Sequence, residues 1–271
     1  MEPVFSTFLC GVGECLHHVK SFQGVAIFAL LLSCPIRYPA QMSMDERVNT
    51  LNSPLTGTSQ GHLVEIEHGH FAHLAAAEDL QSLVGLAKQA GFDLRICSSF
   101  RSFDQQVKIW NEKATGKRAV FDDQGNPIDI LTLDERQRVF KILRWSALPG
   151  ASRHHWGSDF DVYDAAAVPI DYKLQLKVSE YSARGPFAPM KSWLDENAAR
   201  FGFFFPYSVD QGGVHPEPWH ISHRKTATRL LWNYTFQVLV DHLQVVDFAL
   251  IDVVRREAET IYHDFVINTS S

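Results

Sequence analysis

The run Asp159-Phe160-Asp161-Val162-Tyr163 constrains this chain most. It alternates polar with apolar residues and is rich in β-branched and aromatic side chains, the pattern of a half-buried strand. Successive side chains of a strand point to opposite faces, so Asp159, Asp161 and Tyr163 share one face and Phe160 and Val162 the other. Carboxylates on a strand that is apolar behind need a partner, because an unpaired buried charge is costly. A metal ion is one such partner. His154 precedes the strand, and Gly157 between them permits a tight bend. The chain can fold back there and bring His154 to Asp161.

A second stretch, His215-Pro216-Glu217-Pro218-Trp219-His220, answers the first. Pro216 and Pro218 stiffen its approach and argue against a central strand position. A catalytic zinc site needs three protein ligands and an open position for water. His154, Asp161 and His220 supply three, which leaves Glu217 as general base toward a water whose pKa the metal lowers to roughly 7. Either stretch alone reads equally as ordinary structure, a satisfied histidine or a paired aspartate. The conjunction is what carries specificity. A rival cluster, His68, His70 and His73, follows the strand-like Leu63-Val64-Glu65-Ile66-Glu67. It lacks a carboxylate base at a defined spacing, and its other readings are a cleft lining or a solvated surface.

The paired stretches resemble the VanY-like D-alanyl-D-alanine carboxypeptidases, the M15 zinc peptidases. Their motifs are Ser-x-His-x-x-Gly-x-x-x-Asp, here Ser152, His154, Gly157 and Asp161, and Glu-x-Trp-His, here Glu217, Trp219 and His220. The resemblance extends from about Leu55 to Ile267. It implies one zinc ion on His154, Asp161 and His220, with Glu217 as catalytic base. It also implies that Arg101, in Ser98-Ser99-Phe100-Arg101-Ser102, contacts substrate and transition state, and that Ser152 hydrogen-bonds bound substrate. The implied substrate is a cell-wall peptide ending in D-Ala-D-Ala. Rival readings are a D,D-dipeptidase or a peptidoglycan endopeptidase with the same chemistry, a non-catalytic zinc-binding module, and a zinc-independent protein with structural histidines. Two positions depart from the family pattern. Asp159 stands where a small apolar residue is common, and His223 where an aromatic often follows; neither is expected to touch a ligand.

The expected fold is α+β, a small, mainly antiparallel sheet carrying the zinc site and flanked by helices. Apolar spacing predicts a helix from Leu74 to Ala90, stopped by Gly91. Leu94 to Ser98 reads as a strand, and Ser102 to Gln105 as a capping box that opens a helix to about Lys113. That junction fixes Arg101 near a positive helix end, which suits charge developing on a carbonyl oxygen. Further helices are expected over Leu133–Ala147 and Pro189–Phe201, with a short strand possible at Leu174-Gln175-Leu176. Phe203 to Tyr207 reads as core or pocket wall, and the chain from about Lys225 to Phe265 as two helices.

A chain of 271 residues with 45% hydrophobic residues suits one well-cored domain, taken as residues 42–271. A net charge of −6 without a basic patch argues against nucleic acid. Three of the four cysteines, Cys10, Cys15 and Cys34, precede that domain and only Cys97 lies in it, so no disulfide framework is expected. Residues 1–41 read as an extension. The apolar run Gly24–Leu32 is too short to span a bilayer. Either the extension has no fold of its own, with a true start at Met42 or Met44 and a cytoplasmic enzyme, or residues 1–34 are a signal, with a periplasmic or lipid-anchored one. A monomer without a transmembrane span is expected.

Overall fold

The computed structural model describes residues 53–67 and 69–270. The expectations for residues 1–41 and for His68 lie outside them. Strands β1 (Leu63–Glu67) and β2 (His70–His73) form an antiparallel hairpin, with Leu63 opposite His73. Helix α1 (Leu74–Gln89) follows at once, because the His73 ring accepts the Ala75 N–H as an N-cap. Leu80, Leu83 and Ala87 form its buried stripe, and Gly91 ends the segment in the left-handed region at φ +93°. After β3 (Leu94–Ser98), Ser102 and Gln105 exchange both bonds of a capping box and open α2 (Phe103–Ala114).

A small hairpin, β4 (Val120–Phe121) and β5 (Pro127–Ile128), encloses a turn in which Asp122 accepts from the Gln124 and Asn126 N–H groups. Helix α3 spans Glu135–Leu143, shorter at both ends than the predicted Leu133–Ala147. Asp134 caps its start by accepting the Gln137 N–H. At its end the strip Trp145–Ala147 leaves the helix and turns its oxygens toward α2: Ala147 O accepts from Gln106, and Trp145 O and Ser146 Oγ accept from Lys113.

Strand β6 (Asp159–Asp164) is central in a four-stranded antiparallel sheet. Its order is β3, β6, β8 (His220–His223), β7 (Phe203–Phe204). Between β6 and β7 lie α4 (Val178–Tyr181) and α5 (Ala188–Asn197), the latter continued by a 3-10 turn to Phe201 and closed by Gly202 at φ +75°. The predicted strand at Leu174–Leu176 does not form. Leu176 has φ +52°, which breaks an extended run.

Beyond β8 the two predicted helices are four shorter α-helices, α6 (Arg224–Asn233), α7 (Phe236–Val245), α8 (Ile251–Arg256) and α9 (Ala258–Ile261), the last continued by a π-helical turn over Tyr262–Val266. The apolar stripe is continuous in sequence but the backbone is not. Thr235 caps a new helix by accepting the Val238 N–H, and Leu250 adopts φ +66° before α8. No helix among the described residues is long and apolar enough to cross a membrane.

The alternation of β6 sorts its two faces. Phe160 and Val162, both fully buried, pack with Leu80, Leu83, Met190 and Ile221 behind the sheet. Asp159 and Asp161 face the other way, toward the second core built on Trp110, Trp156, Tyr234 and the C-terminal helices.

Candidate metal centre and active site

Antiparallel pairing sets Asp161 of β6 directly opposite His220, the first residue of β8. His154 reaches the same point from a 3-10 turn, Arg153–Trp156, that Gly157 closes at φ +67°. A side chain at position 157 would collide with the Ala72–His73 backbone, so glycine is needed there for space as well as for conformation.

Hydrogen bonding assigns the tautomers of both rings. His154 Nδ1–H donates to the Ser99 carbonyl at 3.0 Å, which leaves Nε2 as a lone pair 3.4 Å from Asp161 Oδ2. His220 Nε2–H donates to Asp159 Oδ1 at 3.0 Å, which leaves Nδ1 as a lone pair 3.3 Å from Asp161 Oδ1. His220 Nδ1 and Asp161 Oδ1 are buried without a hydrogen-bond partner. Buried polar atoms without partners are rare, so these call for an ion. Each ring nitrogen thus stands 3.3–3.4 Å from one or the other oxygen of the Asp161 carboxylate. His154, Asp161 and His220 can thus hold one metal, their ligand atoms lying within 4.8 Å of one another.

Charge is arranged to match. Burial pushes the Asp161 carboxyl up, but His154 and His220 outweigh it and hold the group well below the usual carboxylate range. Burial pushes the His220 pKa down, and the hydrogen bond to Asp159 together with the nearby Asp161 and Glu217 carboxylates more than reverses this. Three carboxylates draw positive charge to this point.

Asp159 corrects an expectation. It touches a ligand directly, through His220, and it is fully buried. Its negative charge is balanced by Arg153, whose Nε donates to the same Oδ1 at 2.8 Å, and Ser158 donates to its other oxygen. Arg153 is held in turn by Ser222 Oγ at 2.6 Å. His223 does lie away from the ligands, between Thr226 and Asp79.

Glu217 Oε2 lies 3.1 Å from His220 Nδ1, at the edge of the ligand cluster. Its backbone is pinned by Tyr207 O, and Tyr207 packs edge-on against the His220 ring at 5.1 Å. Arg101 is locked through both backbone groups: its N–H donates to His154 O, and its carbonyl accepts from His155 Nδ1. Its guanidinium donates to Gln106 Oε1 and Ser98 Oγ, each at 2.8 Å. Ser152 is buried, with its hydroxyl unpartnered.

These groups share one cleft of about 930 Å3, lined by Arg101, Ser152, His154, Asp161, Glu217 and His220 among others. Of the rival cluster, only His70 and His73 are among the described residues. His70 bonds Ser99 Oγ, His73 caps α1 and faces Arg229, and neither lines the cleft.

Sequence reasoning set Asp159 apart from the ligands and passed over His155 altogether. Its Nδ1–H goes to Arg101 O and its Nε2 accepts the Gly150 N–H, so a neutral ring clamps Arg101 to the metal-ligand turn. Burial lowers its pKa to about 3, which keeps it neutral. The adjacency of two histidines at 154 and 155 was the available signal.

Comparison with known proteins places these observations. Residues 69–226, more than half of the chain, match the family model VanY, D-alanyl-D-alanine carboxypeptidase. An uncharacterized protein of Haemophilus influenzae is 44% identical over 98 residues, covering 35% of this chain and 67% of that protein. A D-alanyl-D-alanine carboxypeptidase of Enterococcus faecalis is 26% identical over 176 residues, 64% of this chain and 55% of that protein. Among solved structures, the vancomycin-resistance D,D-pentapeptidase VanY in complex with Zn(II) aligns with a TM-score of 0.44 at 24% identity, over 62% of this chain and 82% of that one.

Proposed function

The chain belongs to the VanY D-alanyl-D-alanine carboxypeptidase family, and on that premise we propose that it is a zinc-dependent carboxypeptidase that releases the terminal residue from peptidoglycan peptides or precursors ending in D-Ala-D-Ala. The observation that carries the zinc reading is the convergence of His154 Nε2, Asp161 and His220 Nδ1, with hydrogen atoms directed away from both ring lone pairs.

Zinc held there would polarise a scissile carbonyl and lower a water's pKa to roughly 7. Glu217, beside the ligands, takes the proton of the attacking water and returns it to the leaving amine nitrogen. Arg101 places a fixed cation in the cleft for the oxygen on which negative charge develops. It needs little reorganisation, since its backbone and side chain are already bound. Ser152 offers a free hydroxyl to the substrate backbone.

The test is release of free D-alanine from a peptide ending in D-Ala-D-Ala by the zinc-loaded protein. Release that stops with a chelator and returns with zinc supports the reading. Release of the intact dipeptide D-Ala-D-Ala would make it a D,D-dipeptidase. No cleavage by fully zinc-loaded protein would leave a metal-binding module.

A further inference from the structure

The cleft contains a second cation whose charge nothing in the mechanism uses. Lys113 lines it and is only 7% exposed. Its Nζ donates to Ser146 Oγ at 2.7 Å and to Trp145 O at 3.4 Å. Both acceptors are neutral. An ammonium carries three donors, and no carboxylate among the described residues lies within ion-pair distance of this one. Burying a lysine without a counter-charge is unfavourable, and burial lowers its pKa to about 8. Of the other cationic side chains that line the cleft, Arg153 pairs with Asp159, Arg101 serves the oxyanion, and Arg118 and Lys177 are exposed to solvent.

The position of Lys113 relative to Arg101 is set by one strip of chain. Arg101 donates to Gln106, Gln106 donates to Ala147 O, and Lys113 donates to Ser146 and Trp145. Lys113 bonds that strip directly and Arg101 is tied to it through Gln106, so one strip of chain holds both cations in the cleft. In a peptide whose last bond is cut, the scissile carbonyl and the terminal carboxylate are likewise separated by one residue. The end of such a peptide therefore presents two anionic centres to a cleft that holds two cations, Arg101 and Lys113.

We propose that Lys113 receives the free α-carboxylate of the substrate's last residue, so that it restricts this cleft to chain ends. The assignment rests on the peptidase reading above and supplies its specificity. An endopeptidase has no terminal carboxylate to neutralise a cation at this place.

The test compares two ligands, D-Ala-D-Ala as the free acid and as its C-terminal amide. Binding is measured calorimetrically to the zinc-loaded full chain carrying Glu217→Gln, which prevents turnover. With Lys113 present, the acid binds on the order of 100-fold tighter than the amide. Lys113→Met removes that preference by weakening the acid and leaving the amide unchanged; Lys113→Arg restores most of it. Lys113→Gln, which can keep the Ser146 hydrogen bond, behaves as Met does and separates loss of charge from loss of packing. Equal binding of acid and amide with Lys113 present overturns the assignment. So does an acid preference that survives Lys113→Met, or a zinc-loaded protein that binds neither ligand. Acid-selective binding by a protein that never cleaves the bond leaves the Lys113 assignment standing and removes the peptidase reading.

Discussion

Asp159 Oδ1 accepts from His220 Nε2 at 3.0 Å and from Arg153 Nε at 2.8 Å, so one oxygen couples a candidate metal ligand to a buried guanidinium. The carboxylate orients the imidazole and makes its other nitrogen a better donor. Asp159→Asn keeps the shape and removes the charge. Zinc affinity, measured by competition with a chelating dye, should fall 10–100-fold. The same change leaves Arg153 buried without a counter-charge, and unfolding should show a loss of about 3–5 kcal/mol. Unchanged zinc affinity in the folded variant would mean that Asp159 serves only Arg153.

Glu217→Gln should retain zinc and lose D-alanine release by roughly 100- to 10,000-fold. Zinc content by metal analysis and turnover of a peptide ending in D-Ala-D-Ala measure the two effects separately. Turnover within a few-fold of the parent would remove Glu217 as the base.

Arg101→Met should lower kcat by roughly 100- to 1,000-fold, the usual effect of removing one donor to a developing oxyanion. The substrate KM should change far less, because the interaction strengthens as charge develops. A pure KM effect would reassign Arg101 to ground-state binding.

Acid should destabilise the fold through two neutral histidines. His155 and His242 are fully buried, and burial lowers their pKa values to about 3 and about 4 from the ordinary 6.5. Below pH 6.5 the unfolded chain therefore binds protons that the folded chain refuses. Stability is full above about pH 6.5 and falls as the pH drops from there toward 4, at up to about 1.4 kcal/mol per pH unit for each histidine. His242 makes the cleaner test, since neither of its ring nitrogens has a hydrogen-bond partner. Denaturant titrations between pH 4 and 7 should give a shallower slope for His242→Leu, by close to one histidine's share. An unaltered slope would show that His242 is not a source of the acid sensitivity.

Several local features were readable from residue type alone. The alternation from Asp159 to Tyr163 gave both faces of β6. Ser102 and Gln105 gave the start of α2, and Gly91 and Gly202 the ends of two segments. The residues picked from the two motifs meet at one point because β6 and β8 pair in the register that sets Asp161 against His220.

What escaped were consequences of distance in space. Asp159 reads as a neighbour of Asp161 that touches no ligand until the β6–β8 pairing brings His220 Nε2 to it. Lys113 sits in the last turn of a helix, where a lysine ordinarily complements the dipole in solvent; only the strip Trp145–Ala147, folding back over α2, buries it. The C-terminal helices carry a continuous apolar pattern, and periodicity is blind to a threonine cap at Thr235 and a left-handed residue at Leu250.

The β6–β8 register also bears on how the centre comes into being. Asp159 and His220 are 61 residues apart in the chain, and Asp161 and His220 belong to neighbouring strands. No local segment can present the ligand set. It exists only after a long loop has closed, an entropic cost that contacts within the loop do not offset until late. An ion bound there clasps the two ends of that loop. Occupancy then favours the assembled sheet by mass action.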